Sequence, residues 1–202
     1  MTGGVRWRLP CLLCLVVLAG CGGGSEPVTI PEGFTVRTVE KPSFSVALPS
    51  EWRSFGDRSH TNAKEVAGKN ERLRNALETL ARSDSPIKLV AFDPAAGRRF
   101  YTNMNVLQTQ VPSKLSFDDM ARTEKTQISR ASGVNDIKQQ VTEVPAGRTL
   151  RLTYHPRPTA IVQQYFVRDG DLLYVLTYTT RTADAARYAK TFDQSAHTFQ
   201  LG

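Results

Sequence analysis

The stretch AIVQQYFVRDGDLLYVLTY, from Ala160 to Tyr178, decides how this chain is read. Two apolar and aromatic runs flank Asp169-Gly170, a dipeptide suited to the positive backbone angles of a tight hairpin turn. With those two residues as the loop, Val167 faces Leu172, Tyr165 faces Tyr174 and Ile161 faces Tyr178 on one side. Phe166 meets Leu173 and Gln164 meets Val175 on the other. An antiparallel sheet with one face in water alternates cleanly between apolar and polar residues. Here both sides are at least half apolar, so both faces of the sheet are expected to be covered.

Working outward, strands are expected near 136–144 and 147–155, separated by Pro145-Ala146-Gly147, with His155-Pro156-Arg157-Pro158 turning the chain into the hairpin. Beyond the hairpin, Thr182 is expected to cap a helix that turns Ala185, Tyr188, Ala189, Phe192 and Ala196 inward. Thr198 to Leu201 would then dock. Earlier, Ser116 with Asp119 three residues on is a variant capping box. Phe117, Met120, Ile128 and Ala131 give that helix its apolar face, and Gly133 suits its end. Ile87 to Phe92 and Tyr101 to Val111 read as strands around an Asp93-Pro94 turn. Residues 63–82 read as one helix with Val66, Leu73, Leu77 and Leu80 on a stripe that Ala76 fills, ended by Ser83-Asp84-Ser85-Pro86. Phe44 to Leu48 alternates as a half-buried strand, Pro49 stops it, and Trp52 follows as a core or lid aromatic. About six to eight mostly antiparallel strands with three helices make an α+β domain, an antiparallel sheet flanked by helices.

The N-terminus carries a different message. Arg6 and Arg8 precede an apolar run from Leu9 to Leu18, and Leu18-Ala19-Gly20-Cys21 closes it. This order is that of a secretory signal, and the run falls short of the roughly 20 apolar residues a membrane span needs. Leu-Ala-Gly-Cys matches a lipobox: the Cys21 thiol accepts a diacylglyceryl group as a thioether, and small residues before it let a peptidase reach the bond. The expected organisation is a signal peptide over 1–20, a lipidated flexible tether over 21–33, rich in Gly and Pro, and one domain over 34–202. Cys11 and Cys14 leave with the signal and Cys21 is consumed by lipid, so thiol catalysis and Cys-based zinc sites drop out. The net charge falls from +7 to about +5 once Arg6 and Arg8 are removed.

Three motifs resemble one family. Phe44-x-Val46-x-x-Pro49-x-x-Trp52 is similar to the opening of the Mog1/PsbP-like superfamily, and Asn103-Met104-Asn105-Val106 to a strand of its bacterial lipoproteins. Gly170-x-x-x-Tyr174-x-Leu176-x-Tyr178, a helix and Phe199 resemble its closing unit. With the lipobox, the chain resembles the LpqN-type lipoproteins of actinobacteria. The resemblance implies an αβα sandwich, an accessory or binding role at the envelope, and no catalytic set.

The residues agree that chemistry is sparse. His60, His155 and His197 are scattered, with no paired spacing for a metal. No serine sits in a Gly-x-Ser-x-Gly elbow, and Ser54-Phe55-Gly56 reads as turn material. Asp118-Asp119 suits a helix start, where negative charge is favoured. No glycine loop stands between a strand and a helix to cradle phosphate. Arg98-Arg99 reads as part of a turn, and the basic residues of 63–82 are interleaved with Glu65, Glu71 and Glu78, as on a solvated face. Nucleic acid is no partner for an exported protein.

One group suggests a small-ligand pocket: Asn103, Asn105, Gln108 and Gln110 on one strand, with Gln163, Tyr165, Tyr174 and Tyr178 on the hairpin. The expectation is a non-enzymatic binding or accessory module, without cofactor or metal. Lipid on Cys21 would hold it at the outer face of the cytoplasmic membrane, where it would meet envelope proteins or a small ligand. The alternative is an envelope hydrolase, which a buried Asp–His or Ser–His contact would favour.

Overall fold

The computed structural model describes residues 28–81, 85–96 and 102–202. The expected signal, Cys21, Ser83-Asp84, Arg98-Arg99 and Tyr101 lie outside the described residues. β1 (Phe34–Glu40) and β2 (Ser43–Pro49) form a hairpin around Lys41-Pro42, whose peptide bond is cis. The far edge of β2 pairs with β10 (Gln200–Leu201), completing a small antiparallel sheet.

The principal sheet has seven strands, every pairing antiparallel. They are β3 (Arg53–Phe55), β4 (Ile87–Phe92), β5 (Asn103–Gln110), β6 (Lys138–Val144), β7 (Gly147–Arg157), β8 (Ala160–Asp169) and β9 (Leu172–Arg181). Their order across the sheet is β3-β4-β5-β9-β8-β7-β6.

Side-chain alternation divides this sheet into two buried faces. On one, Leu89, Met104, Val106, Tyr165, Leu176 and Tyr178 pack against β2 and against α4 (Ala185–Ala196) through Tyr188, Phe192 and Ala196. On the other, Leu150, Leu152, Phe166, Leu173 and Val175 pack under Met120 and Ala121 of α3 (Phe117–Ser132). Beside α3, and on the same face, Phe55 and Phe92 meet α1 (Ala63–Ala67) and α2 (Glu71–Leu80). The expected α+β class, a sheet flanked by helices, is therefore what the chain adopts.

The hairpin differs in register. Gly170, at φ 60°, is the first loop residue and Asp171 the second, so Asp169 pairs with Leu172. The glycine takes the loop's positive-φ position, which falls at the first loop residue, and every partner slides by two. Val167 thus pairs with Tyr174, Tyr165 with Leu176 and Gln163 with Tyr178. A slip of two preserves strand parity, so the faces read from the sequence stand although the pairs do not.

The helix expected over 63–82 is two helices. Gly68 at φ 57° ends α1, and the Asn70 side chain accepts from Leu73 N to start α2, as Asn62 does for α1. An asparagine cap after a left-handed glycine outweighs continued apolar spacing. Val66 and Leu77 are buried as expected, but Ala76 faces solvent, as do Ala131 and Ala189. Ser116 caps α3 by accepting from Asp119 N at 3.1 Å, and Gly133 closes it at φ 69°. Thr182 is not the cap of α4: it opens a short 3-10 turn and its hydroxyl donates to Pro158 O at 2.9 Å. β1 and β3 were not expected. β1 exposes most of its side chains and β3 has three residues, so neither carries a strong alternation.

Candidate functional site

The eight polar residues expected to line one pocket fall on both sides of the sheet. Asn103 pairs with Thr179 and Asn105 with Thr177, so both amides point to the helix α3 side. Between them Met104 pairs with Tyr178 and faces α4. Asn103 and Asn105 are half-buried in a polar strip with Thr177 and Gln164, whose amide donates to Thr177 at 3.0 Å. Tyr165, Tyr174 and Tyr178 lie on the opposite face. Gln108 reaches Tyr174 OH from the neighbouring strand at 3.4 Å, while Gln110 is exposed at the strand end. The five residues Asn103, Asn105, Tyr165, Tyr174 and Tyr178 therefore do not converge on one cavity.

Tyr178 is a core strut. It is 0% exposed, lies edge-on to Tyr165 at 5.9 Å and against Phe192 at 5.0 Å. Its hydroxyl donates to Ser195 Oγ at 2.9 Å, and Ser195 donates to Ala47 O at 2.7 Å. This relay stitches β9, α4 and β2 together. Burial pushes the Tyr178 hydroxyl well above the ordinary tyrosine range. Tyr174 packs between Phe44 at 5.9 Å and Phe199 at 5.7 Å.

Tyr165 leads toward the surface. Its hydroxyl is 3.1 Å from Asp193 Oδ1, and Asp193 also lies 3.4 Å from Arg151 Nη1. The hydrogen bonds set the orientation of the Gln163 amide: with its oxygen toward Arg151 it accepts from Nε and Nη2, each at 3.0 Å, and contacts the Tyr165 hydroxyl. The Arg151 guanidinium stands 5.7 Å from the Tyr165 ring centre. Burial raises the Tyr165 hydroxyl above its usual range, and Arg151 opposes this only in part. His197, one turn on from Asp193, donates from Nδ1 to the Asp193 carbonyl at 2.8 Å.

Beside this network lies an open recess of about 280 Å³ between α4 and the sheet. Arg151, Thr153, Ile161 and Gln163 form its floor, and Ala185, Ala186 and Ala189 form its wall. The three alanines leave space that the bulky side chains of the same helix, Tyr188 and Phe192, fill elsewhere. Arg151 and Asp193 are 42 positions apart, and no local signal in the sequence joins them.

A second cluster comes from residues read as turn and loop. Asp57, 2% exposed, accepts from Ser59 N at 2.9 Å, from Ser54 Oγ, and from His60 Nδ1 at 2.9 Å. Burial alone would raise the Asp57 carboxyl, but these three donors outweigh it and hold it below the ordinary range. The i, i+3, i+6 spacing of Ser54, Asp57 and His60 was the available signal. Ser54 also lies 3.4 Å from the same His60 nitrogen. That nitrogen's proton points at the carboxylate, and the Ser54 proton goes to Asp57. A serine nucleophile needs its base on the other imidazole nitrogen, so the three do not form a triad. Ser54 and His60 edge a recess of about 390 Å³ that Arg37 and Arg53 also line. Arg37 Nε is buried there without a hydrogen-bond partner.

Among solved structures, the chain is similar to cyanobacterial PsbP (CyanoP) from Synechocystis, with a TM-score of 0.54 over 92% of this chain and 99% of that one, at 13% identity. The Ran-binding protein Mog1p of Saccharomyces cerevisiae follows at 0.52, over 86% of this chain and 96% of that one, at 11% identity. The fold is the Mog1/PsbP-like fold. No protein-family model and no curated protein sequence matches the chain. The Mog1/PsbP-like fold accounts for the motifs read from the sequence. Phe44, Val46 and Trp52 are core residues, as are Met104, between the two asparagines, and Val106 after them. They specify a scaffold, and fold does not by itself specify activity.

Proposed function

We propose that the protein is a non-enzymatic binding module of the cell envelope, an LpqN-type lipoprotein held at the outer face of the cytoplasmic membrane by lipid on Cys21. The observation that carries the binding reading is the alanine-walled recess on α4, with a guanidinium and an amide on its floor. Apolar walls with a few oriented polar groups are the common form of a small-ligand site. The yeast neighbour is named as Ran-binding, so the same scaffold also serves recognition of a protein, and envelope proteins are the corresponding partners here. The anchor rests on Leu18-Ala19-Gly20-Cys21. A diacylglyceryl group brings two chains, which hold far better than one. Fractionation and intact-mass measurement on native and Cys21→Ser protein in an actinobacterial host test it. The native protein is expected in the membrane fraction with a lipid mass increment, and the variant without either. Unchanged association and mass would refute the anchor.

A hydrolase is the second reading, favoured by the contact between the buried Asp57 and the part-exposed His60. With Nδ1 turned to Asp57, the other imidazole nitrogen is left to act as a base toward water, beside Arg37 and Arg53. Turnover of an ester or phosphoester substrate that disappears in His60→Asn would replace the binding reading with this one.

A further inference from the structure

We propose that the recess beside α4 binds a small monocarboxylate of about nine or ten heavy atoms in all, carboxylate included, with an apolar body. This rests on the reading of the protein as a binding module and names the ligand class. The size follows from the volume. About 280 Å³ holds roughly nine water-sized groups at ~30 Å³ each.

The wall requires an apolar body. Ala185, Ala186 and Ala189 project only methyl groups, and Phe192 and Ile161 complete the surface around them. A small, strongly hydrated anion such as phosphate would leave that surface unused.

The head group follows from how Arg151 is bonded. A guanidinium has five N–H donors in a planar fork. Nε and Nη2 converge on the single Gln163 oxygen, and Nη1 has Asp193 at 3.4 Å, a long contact. No other hydrogen bond from Arg151 forms among the described residues, and its side chain is 29% exposed. A carboxylate offers two oxygens spaced for such a fork.

Local charge points the same way. Lys138 pairs in register with Thr153, on the same sheet face as Arg151, and makes no ion pair among the described residues. Asp193 opposes these two cations, while Asp184, at the start of α4, is engaged by Arg181 at 2.7 Å. The mouth of the recess therefore carries a positive balance that favours an anion.

Calorimetric titration of the full chain carrying Cys21→Ser, so that no lipid or detergent competes, tests the proposal. The probes are phenylacetate and octanoate, each against its neutral amide. Both acids are expected to saturate the protein and to bind at least roughly tenfold more tightly than their amides. Arg151→Gln is expected to erase that preference. Ala189→Leu, at an exposed helix position, is expected to abolish binding with an unchanged thermal midpoint, and Ala186→Leu is an independent block of the same wall. Three results overturn the proposal: no saturation by either acid up to about 10 mM, acid binding that survives both leucine variants, or amides that bind as well as acids. The last, if still blocked by Ala189→Leu, overturns the carboxylate alone and leaves the binding-module reading standing.

Discussion

The relay Tyr178–Ser195–Ala47 makes a quantitative prediction that separates a structural tyrosine from a ligand-binding one. Tyr178→Phe removes the hydroxyl that donates to Ser195 Oγ at 2.9 Å and keeps the ring against Tyr165 and Phe192. Ser195 still donates to Ala47 O, so the loss is one net hydrogen bond, about 1 kcal/mol. Ser195→Ala is worse. It strips the partner from a phenol that is 0% exposed and also removes the bond to Ala47 O. A buried donor left unpaired costs about 1–3 kcal/mol, so the total for this variant is about 2–4 kcal/mol. Once Ser195 is gone, Tyr178→Phe takes away an unsatisfied group, and the double variant should be no less stable than Ser195→Ala. Urea unfolding at constant slope gives the three values. At roughly 2–4 °C per kcal/mol for a domain of this size, thermal midpoints show the same order. If Tyr178→Phe costs more than Ser195→Ala, or if the two costs simply add, the relay is not what holds α4 to β2.

Other perturbations probe the remaining devices. Asp57 is held below its ordinary value of 3.8 in the folded protein, so its stabilising contribution is complete above that value. It disappears as pH falls through the lower folded pKa. Urea midpoints measured from about pH 5 down to about pH 2 should fall more steeply in the native protein than in Asp57→Asn; parallel curves would contradict the account. Gly56 sits at φ 100°, and a Cβ there would strike the Lys88 carbonyl. Gly56→Ala is therefore expected to cost about 2 kcal/mol or more, read by denaturant midpoint. Asn70→Ala removes the cap of α2 and is expected to cost about 1 kcal/mol. Hydrogen exchange should show the loss concentrated in 71–80, and a uniform loss would argue that the two helices fold as one.

The centre of the principal sheet is readable because β8 and β9 are long and apolar on both sides, so parity survives a change of turn. Asp169-Gly170 and Gly170-Asp171 are both acceptable loop pairs by composition. Only the place of the positive-φ residue, first in the loop and not second, separates them. The helix expected over 63–82 shows the opposite case: the apolar stripe of Val66, Leu73 and Leu77 is real, but the caps at Asn62 and Asn70 override it and divide the segment. The candidate site was less legible. Alternation alone puts Met104 and Val106 on one face and Asn103 and Asn105 on the other, so the grouping of those amides with the tyrosines ignored a rule the strand itself states. The Arg151–Gln163–Asp193 network could not have been read. It depends on which strand neighbours which and on where α4 crosses, and both are set by packing over long sequence separations. Ser54-x-x-Asp57-x-x-His60 lay between these cases, a local pattern whose geometry only the bend after β3 completes.

The strand order also sets a timetable. β2 finds one neighbour in β1 at once, but its other edge, Ser45 and Phe44, waits for Gln200 and Leu201. A chain threaded N-terminus first, from a ribosome or through a translocation channel, thus carries β2 half-paired until residues 200–201 emerge. Contacts that span the whole sequence are slow to form, so assembly should finish at the small sheet, not at the large one. A passenger fused after Gly202 would press on that last joint, because Gly202 N already bonds Ser43 O at 3.2 Å. For anyone tagging this protein, the back end is part of its front edge.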